Sequence, residues 1–292
     1  MKIKSKDFLV KEGLKIKLID WPTQVNRLYK SKEQYNLLQQ ENIADLAALQ
    51  RLLYASNRYA LLLIFQGMDC SGKDGMIRHV MSGVNPQGVE VVSFKQPCLE
   101  ELQHDFLWRT TCRLPERGRI GVFNRSYYEE VLIVRVHPDL LVKEGFPDEA
   151  RRDDKKLWKG RYRSIVDQES HLSRNHTRIL KFYLHLSKEE QKKRFLARID
   201  EPDKNWKMDL SDINERKQWN KYKQAYEDCI SATSSDHSPW YIIPADDKDN
   251  ARLIVSQIIL ESLKELDLAY PKATPEHQEE LKKIRKQLIK EK

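Results

Sequence analysis

The chain has 292 residues and a mass of 34.6 kDa, enough for one large domain or two small ones with a real core. Its 52 Lys and Arg against 44 Asp and Glu give a formal charge of +8 in a chain that is 33% charged and 40% hydrophobic, which excludes a disordered acidic tail and favours an anionic partner. No run approaches the ~20 apolar residues of a membrane span, residues 1–24 lack a secretory apolar core, and Cys70, Cys98, Cys112 and Cys229 form no CxxC pair, so the expectation is a cytoplasmic chain without zinc or a membrane partner.

Beyond a polar arm, Leu37, Leu38, Ile43, Leu46, Leu49 and Leu53 recur at helical spacing and predict a helix from Tyr35 to Tyr54. The continuous apolar run Tyr59–Phe65, which leads into a glycine, predicts a strand buried on both faces. Short apolar runs recur at Val89–Phe94, Arg119–Phe123, Ile179–Leu186 and Trp240–Pro244. Between them, helices are expected from Leu99 to Leu114, bounded by Pro97 and Pro115, and along the stripe Leu157, Tyr162, Ile165, Val166 and Leu172. Another should begin at Ser187, whose hydroxyl can cap the amide of Glu190 while that carboxylate reaches back, and stop near Pro202. A charged surface helix is expected from Thr274 to Lys292. Strands alternating with helices imply an α/β fold with a parallel sheet covered on both faces, and the lack of repeats or low-complexity linkers implies one compact unit.

The segment Gly67-Met-Asp-Cys-Ser-Gly72-Lys73-Asp74-Gly75 keeps the spacing G-x-x-x-x-G-K between a strand and a helix, where backbone amides and a helix N-terminus cradle phosphate. Gly67, Cys70, Ser71, Gly72, Lys73, Asp74 and Gly75 are therefore phosphate-binding candidates. Asp74 stands where Ser or Thr ordinarily ligates magnesium, so metal must be held differently; Asp74 also suits the helix dipole. Asp69 beside polyanions calls for an intervening cation or a proton to handle, or else it bonds loop amides.

The strand ending at Phe123 leads into Asn124-Arg125-Ser126-Tyr127-Tyr128-Glu129-Glu130, at the carboxyl end of a strand where a second, metal-organising motif belongs. Asn124 can orient phosphate or metal-bound water but brings no charge, which leaves Asp69 and Glu129 as the carboxylates for Mg²⁺. Arg125 suits the charge on a transferring phosphate, or else pairs with a helix carboxylate. Arg78, Lys95 and Arg135 are further cations for a phosphate chain. Arg194 and Arg198 share one face of the Ser187 helix and can close over phosphates or form a solvated face; Trp206 and Lys207 follow it, and Asp247 and Lys248 lie at the edge of the last strand, where a capped turn also fits.

Together GMDCSGKDG, VNPQGVEVVSFK, HDFLWRTTCRLPERGRIGVFNRSYYEEVLIVRVHP, KEEQKKRF and PWYIIPADDK resemble the polyphosphate kinase 2 family from about Leu61 to Leu260, and FNRSYYEE resembles its class III branch. The resemblance implies a thymidylate-kinase-like three-layer α/β/α P-loop kinase fold with a helical lid, Mg²⁺ dependence with Mn²⁺ as an alternative, and homodimers or homotetramers. It also implies inorganic polyphosphate as donor to nucleoside mono- and diphosphates, with no nucleic acid. On it, the catalytic set is Asp69, Lys73, Asn124, Arg125 and Glu129, and the nucleotide and lid set is Arg194, Arg198, Trp206, Lys207, Asp247 and Lys248. The expected division is an arm and helix over residues 1–58, a kinase-like domain over 59–270 with its lid at about 187–220, and a charged helix over 271–292. An ATP-dependent kinase and a non-catalytic polyanion binder are the rival readings; Asp74 and Asn124 count against the first, and the carboxylates of the two motifs against the second.

Overall fold

The computed structural model describes residues 3–145 and 154–291. In chain order its strands are β1 (Leu9–Val10), β2 (Ala60–Gln66), β3 (Val89–Ser93), β4 (Ile120–Asn124), β5 (Thr177–His185) and β6 (Trp240–Pro244). Its helices are α1 (Lys32–Ser56), α2 (Lys73–Val80), α3 (Leu99–Leu102), α4 (Trp108–Thr111), α5 (Glu129–Val136), α6 (Leu140–Lys143), α7 (Asp154–Arg174), α8 (Lys188–Asp200), α9 (Leu210–Lys217), α10 (Trp219–Thr233), α11 (Lys248–Lys264) and α12 (Pro275–Lys290).

The described strands form one sheet in the order β1-β6-β5-β2-β4-β3, parallel throughout except where β1 pairs antiparallel with β6. Every residue of β2 is buried, as its unbroken apolar run requires of a strand covered on both faces. Alternation assigns Leu61, Leu63 and Phe65 to one core with Leu53 of α1, Ile77 of α2 and Ile254 of α11. Leu62 and Ile64 enter the other with Val131 of α5, Ile165 of α7 and Ile230 of α10. The result is the expected α/β/α sandwich, and β2, β3 and β4 end together at one edge, where the site is built.

Two expectations are corrected, and one edge strand joins those predicted. The edge strand β1 is a two-residue pairing that leaves no periodic signal. The helix expected from Leu99 to Leu114 is two single turns, because Asp105 accepts the Leu107 amide at 2.9 Å and so starts a new turn. At Ser187 half of the capping box forms: the hydroxyl takes the Glu190 amide at 3.1 Å, while the Glu190 carboxylate pairs with Arg194 at 3.0 Å. The helix α12 is capped by Thr274 and carries no buried residue. No described helix is long and apolar enough to cross a membrane.

Candidate active site

The loop between β2 and α2 depends on its glycines. A Cβ on Gly67 would lie 2.7 Å from Ser71 Oγ and 3.1 Å from the Leu184 carbonyl oxygen, and Gly72 caps α2 at a φ of +99°. Two residues of the site without that freedom are also left-handed, Cys70 at φ +60° and Arg125 at φ +65°, each a strain of about 1–3 kcal/mol that surrounding structure must hold.

Lys73 folds back over this loop, its Nζ donating to the carbonyls of Gly67 (2.7 Å) and Met68 (3.3 Å). Burial, reinforced by Arg125 and opposed by Asp69, Glu129 and Asp74, lowers its pKa to about 8. Asn124, at the end of β4, donates to Asp74 at 2.8 Å, which ties the second motif to the first turn of α2. Arg125 spreads its guanidinium between two carboxylates, Nη1 to Glu129 at 3.1 Å and Nη2 to Asp69 at 3.3 Å, while its amide donates to the Phe65 carbonyl at 3.1 Å. Glu129 foremost raises the Arg125 pKa, so this guanidinium is permanently charged.

Among the described residues, three cavities meet at Arg125. The first, about 680 Å³, is walled by Asp69, Cys70, Ser71, Gly72, Lys73, Asp74, Gly75, Lys95, Asn124, Arg198, Trp206 and Lys248. The second, about 630 Å³, shares Phe94, Lys95 and Arg125 with the first and is more apolar, with Pro97, Leu102, Ile133 and Leu140 beside Arg109 and Glu129. The third, about 280 Å³, connects Gly67, Asp69 and Glu129 to Trp219 and Tyr222.

Several predicted residues are placed elsewhere. Arg78 is exposed on α2 outside these walls. Arg135 is held by Asp228 and by Tyr162 at 2.6 Å, on the side of α5 facing α7 and α10. Arg194 borders the first cavity but is buried, its donors spent on the carbonyls of Cys70 (3.2 Å), Ser71 (3.0 Å), Ala245 (2.6 Å) and Asp246 (3.2 Å); it fastens α8 to the loop. Asp247 caps α11, accepting the amides of Asp249 (2.9 Å) and Asn250 (3.1 Å). The Lys207 side chain lies outside the described residues. Unforeseen in the sequence are Gln191, which donates to the Asp69 carbonyl at 2.9 Å, and Phe94 in the second cavity. Phe94 was findable from its place at the end of an apolar run; Gln191 sits in an unremarkable polar helix.

No cluster of three or more His, Cys, Asp and Glu side chains suited to a metal occurs among the described residues. The carboxylates beside the loop are Asp69 and Glu129, both paired with Arg125; an ion of the Mg²⁺ type, which keeps most of its water and phosphate ligands, needs only one or two such carboxylates.

The model of the family "Polyphosphate kinase 2 (PPK2)" matches residues 29–271. The chain is 61% identical over 290 residues to an ADP-polyphosphate phosphotransferase of Rhodopseudomonas palustris, covering 99% of this chain and 100% of that one. It is 43% identical over 226 residues to an AMP/ADP-polyphosphate phosphotransferase of Meiothermus ruber, covering 77% and 80% respectively. The crystal structure of polyphosphate kinase 2 from Arthrobacter aurescens TC1 superposes with a TM-score of 0.86 at 38% identity, covering 98% of this chain and 97% of that one.

Proposed function

The chain belongs to the polyphosphate kinase 2 family, and from that premise we propose that it transfers the terminal phosphate of inorganic polyphosphate to both ADP and AMP, or the corresponding guanine nucleotides, in either direction. The enzyme is a polyphosphate-dependent nucleotide phosphotransferase with the P-loop kinase fold. The observation that carries the site assignment is the Arg125 fork at the meeting of two large cavities of different character. The cavity rich in loop backbone, Lys73, Lys95, Arg198 and Lys248 suits a polyanion; the flank with Phe94, Pro97 and Leu140 suits a nucleoside whose phosphate points back to Arg125.

On this reading Lys73 and the loop amides clamp the donor phosphate, and Arg125 balances charge on the equatorial oxygens of the phosphoryl group in flight. Asn124 holds Asp74 and so fixes the start of α2. Asp69 and Glu129 orient the guanidinium and would hold Mg²⁺, which when bound supplies charge neutralisation at the phosphates. The segment at about 187–220, with Arg198 and Trp206 facing the polyanion cavity, acts as a lid over the domain of residues 59–270. The described residues from 3 to 58 pack on that domain as an arm and helix, and Pro275–Lys290 forms a separate charged helix. The unpaired cysteines suit a reducing cytoplasm. A homodimer or homotetramer is supported by the apolar stripe Leu281, Ile284 and Leu288, exposed on one face of α12; light scattering after chromatography tests it.

The deciding assay is ATP formation from ADP and long-chain polyphosphate with Mg²⁺, then ATP formation from AMP, each with a Lys73→Ala control. ATP from both acceptors supports the full reading. ATP from ADP alone removes the AMP step, and turnover that requires ATP as donor rather than polyphosphate overturns it.

A further inference from the structure

A buried polar cluster behind the Arg125 turn takes no part in the transfer as described. Glu169 of α7 and Lys181 of β5 are both fully buried and paired, Nζ to Oε2 at 2.5 Å. Tyr127 and Tyr128 donate their hydroxyls to Glu169 Oε1 at 2.8 and 2.7 Å, and Ser238 donates to Oε2. Lys181 also donates to the Thr233 carbonyl at 2.7 Å and to Tyr128 Oη at 3.0 Å. Burial, together with Glu169, drives both tyrosine pKa values far up, so the hydroxyls remain donors.

Packing alone does not account for this cluster. An apolar group of similar volume would cost less than a desolvated ion pair, and such a pair is weak evidence of stabilisation. What it grips is specific: the two residues it takes from α5's leading turn are two and three places after Arg125, whose left-handed backbone persists only if over-determined. The residue between is tied on another side, since Ser126 Oγ accepts from Gln66 Nε2 and from the Tyr128 amide, both at 3.2 Å. Gln66 directly precedes the phosphate loop.

We infer that Glu169 is a positioning residue for the transfer reaction: through the hydroxyls of Tyr127 and Tyr128 it holds the turn that aims the Arg125 guanidinium between Asp69 and Glu129. The inference rests on the reading of Arg125 as the group that meets the transferring phosphate.

The test is a Tyr127→Phe/Tyr128→Phe double variant, which deletes two hydroxyls and keeps both rings in the core, beside Ser238→Ala, which removes a bond to the other oxygen of Glu169 and none to the turn. Thermal unfolding and steady-state kinetics with polyphosphate and ADP are measured on both and on the unmodified chain, well below the unfolding midpoints. The expected result is a folded double variant with kcat lowered about 10-fold or more and both KM values within about twofold, while Ser238→Ala keeps kcat within about twofold at a comparable loss of Tm. An unchanged kcat in the folded double variant overturns the inference, as does an equal kcat loss in both variants. If the double variant does not fold, the single Tyr127→Phe and Tyr128→Phe variants are judged by the same criteria. Absence of polyphosphate-dependent turnover in the unmodified chain strikes the underlying reading instead.

Discussion

The ammonium of Lys73 is held in a place that loosens its proton. Burial lowers its pKa to about 8, and the charged form is the one that grips phosphate, so the grip weakens as pH rises through that value in the free enzyme. We expect kcat/KM for polyphosphate to fall above about pH 8, and Lys73→Arg, charged to far higher pH, to move that falling limb upward; a profile unchanged by the substitution would assign the limb to another group. At this scale the loop was readable because a phosphate cradle needs glycines and a lysine at fixed spacing. Arg194 was not readable as a fastener, since the carbonyls it binds come from residues 70–71 and 245–246, and nothing local in a cationic helix announces which arginine turns inward. Arg125 pairs with a helix carboxylate and also faces a cavity, so the pairing leaves its proposed role at the phosphate open to it.

On α8, one turn separates two arginines with opposite employment. Arg194 is buried among carbonyls, and Arg198 is part-exposed on the first cavity, beside the phosphate loop. Arg194→Met should cost about 2–4 kcal/mol by leaving those oxygens without donors, seen as a lowered urea midpoint. Arg198→Ala should leave the midpoint alone and raise KM for polyphosphate about fivefold, worth about 1 kcal/mol. The opposite pattern would exchange their roles. The elements themselves were legible where periodicity is strong: the inner strands β2, β4, β5 and β6 lie within two residues of the apolar runs that announce them, and α1 was evident from its stripe. The segment from Leu99 to Leu114 misled because two prolines bracket it and apolar residues fill it; the break rests on one Asp105 side chain bonding its own backbone, which competes with a helix at short range.

Across the whole molecule, the excess of positive charge and the N-terminal arm make separate demands. A polyanion drawn by a net +8 should feel salt strongly, so KM for polyphosphate should climb as the Debye length shrinks from about 10 Å at 0.1 M to about 3 Å at 1 M, and more steeply than KM for ADP. The arm reaches across the fold: β1 covers the edge of β6, the Ile16 amide bonds Ser231, the Leu18 amide bonds Glu227, and Thr23 bonds Asp246. Removing residues 1–20 should lower Tm and, by baring the β6 edge, promote association detectable by light scattering; a truncated chain of unchanged Tm would show the arm to be dispensable. These long-range ties left no trace in the sequence, because a two-residue strand and isolated side-chain bonds carry no period. The central position of β2 has one more consequence, for synthesis rather than catalysis. Ala60 lies opposite Ile120's neighbourhood through Leu61 and directly opposite Thr177, so the uncharged segment Ala60–Gln66 leaves the ribosome long before either neighbour exists to cover it. Until β5 has been translated, this nascent strand is an adhesive one, and the yield of folded enzyme in a cell should depend on how fast holding chaperones reach it.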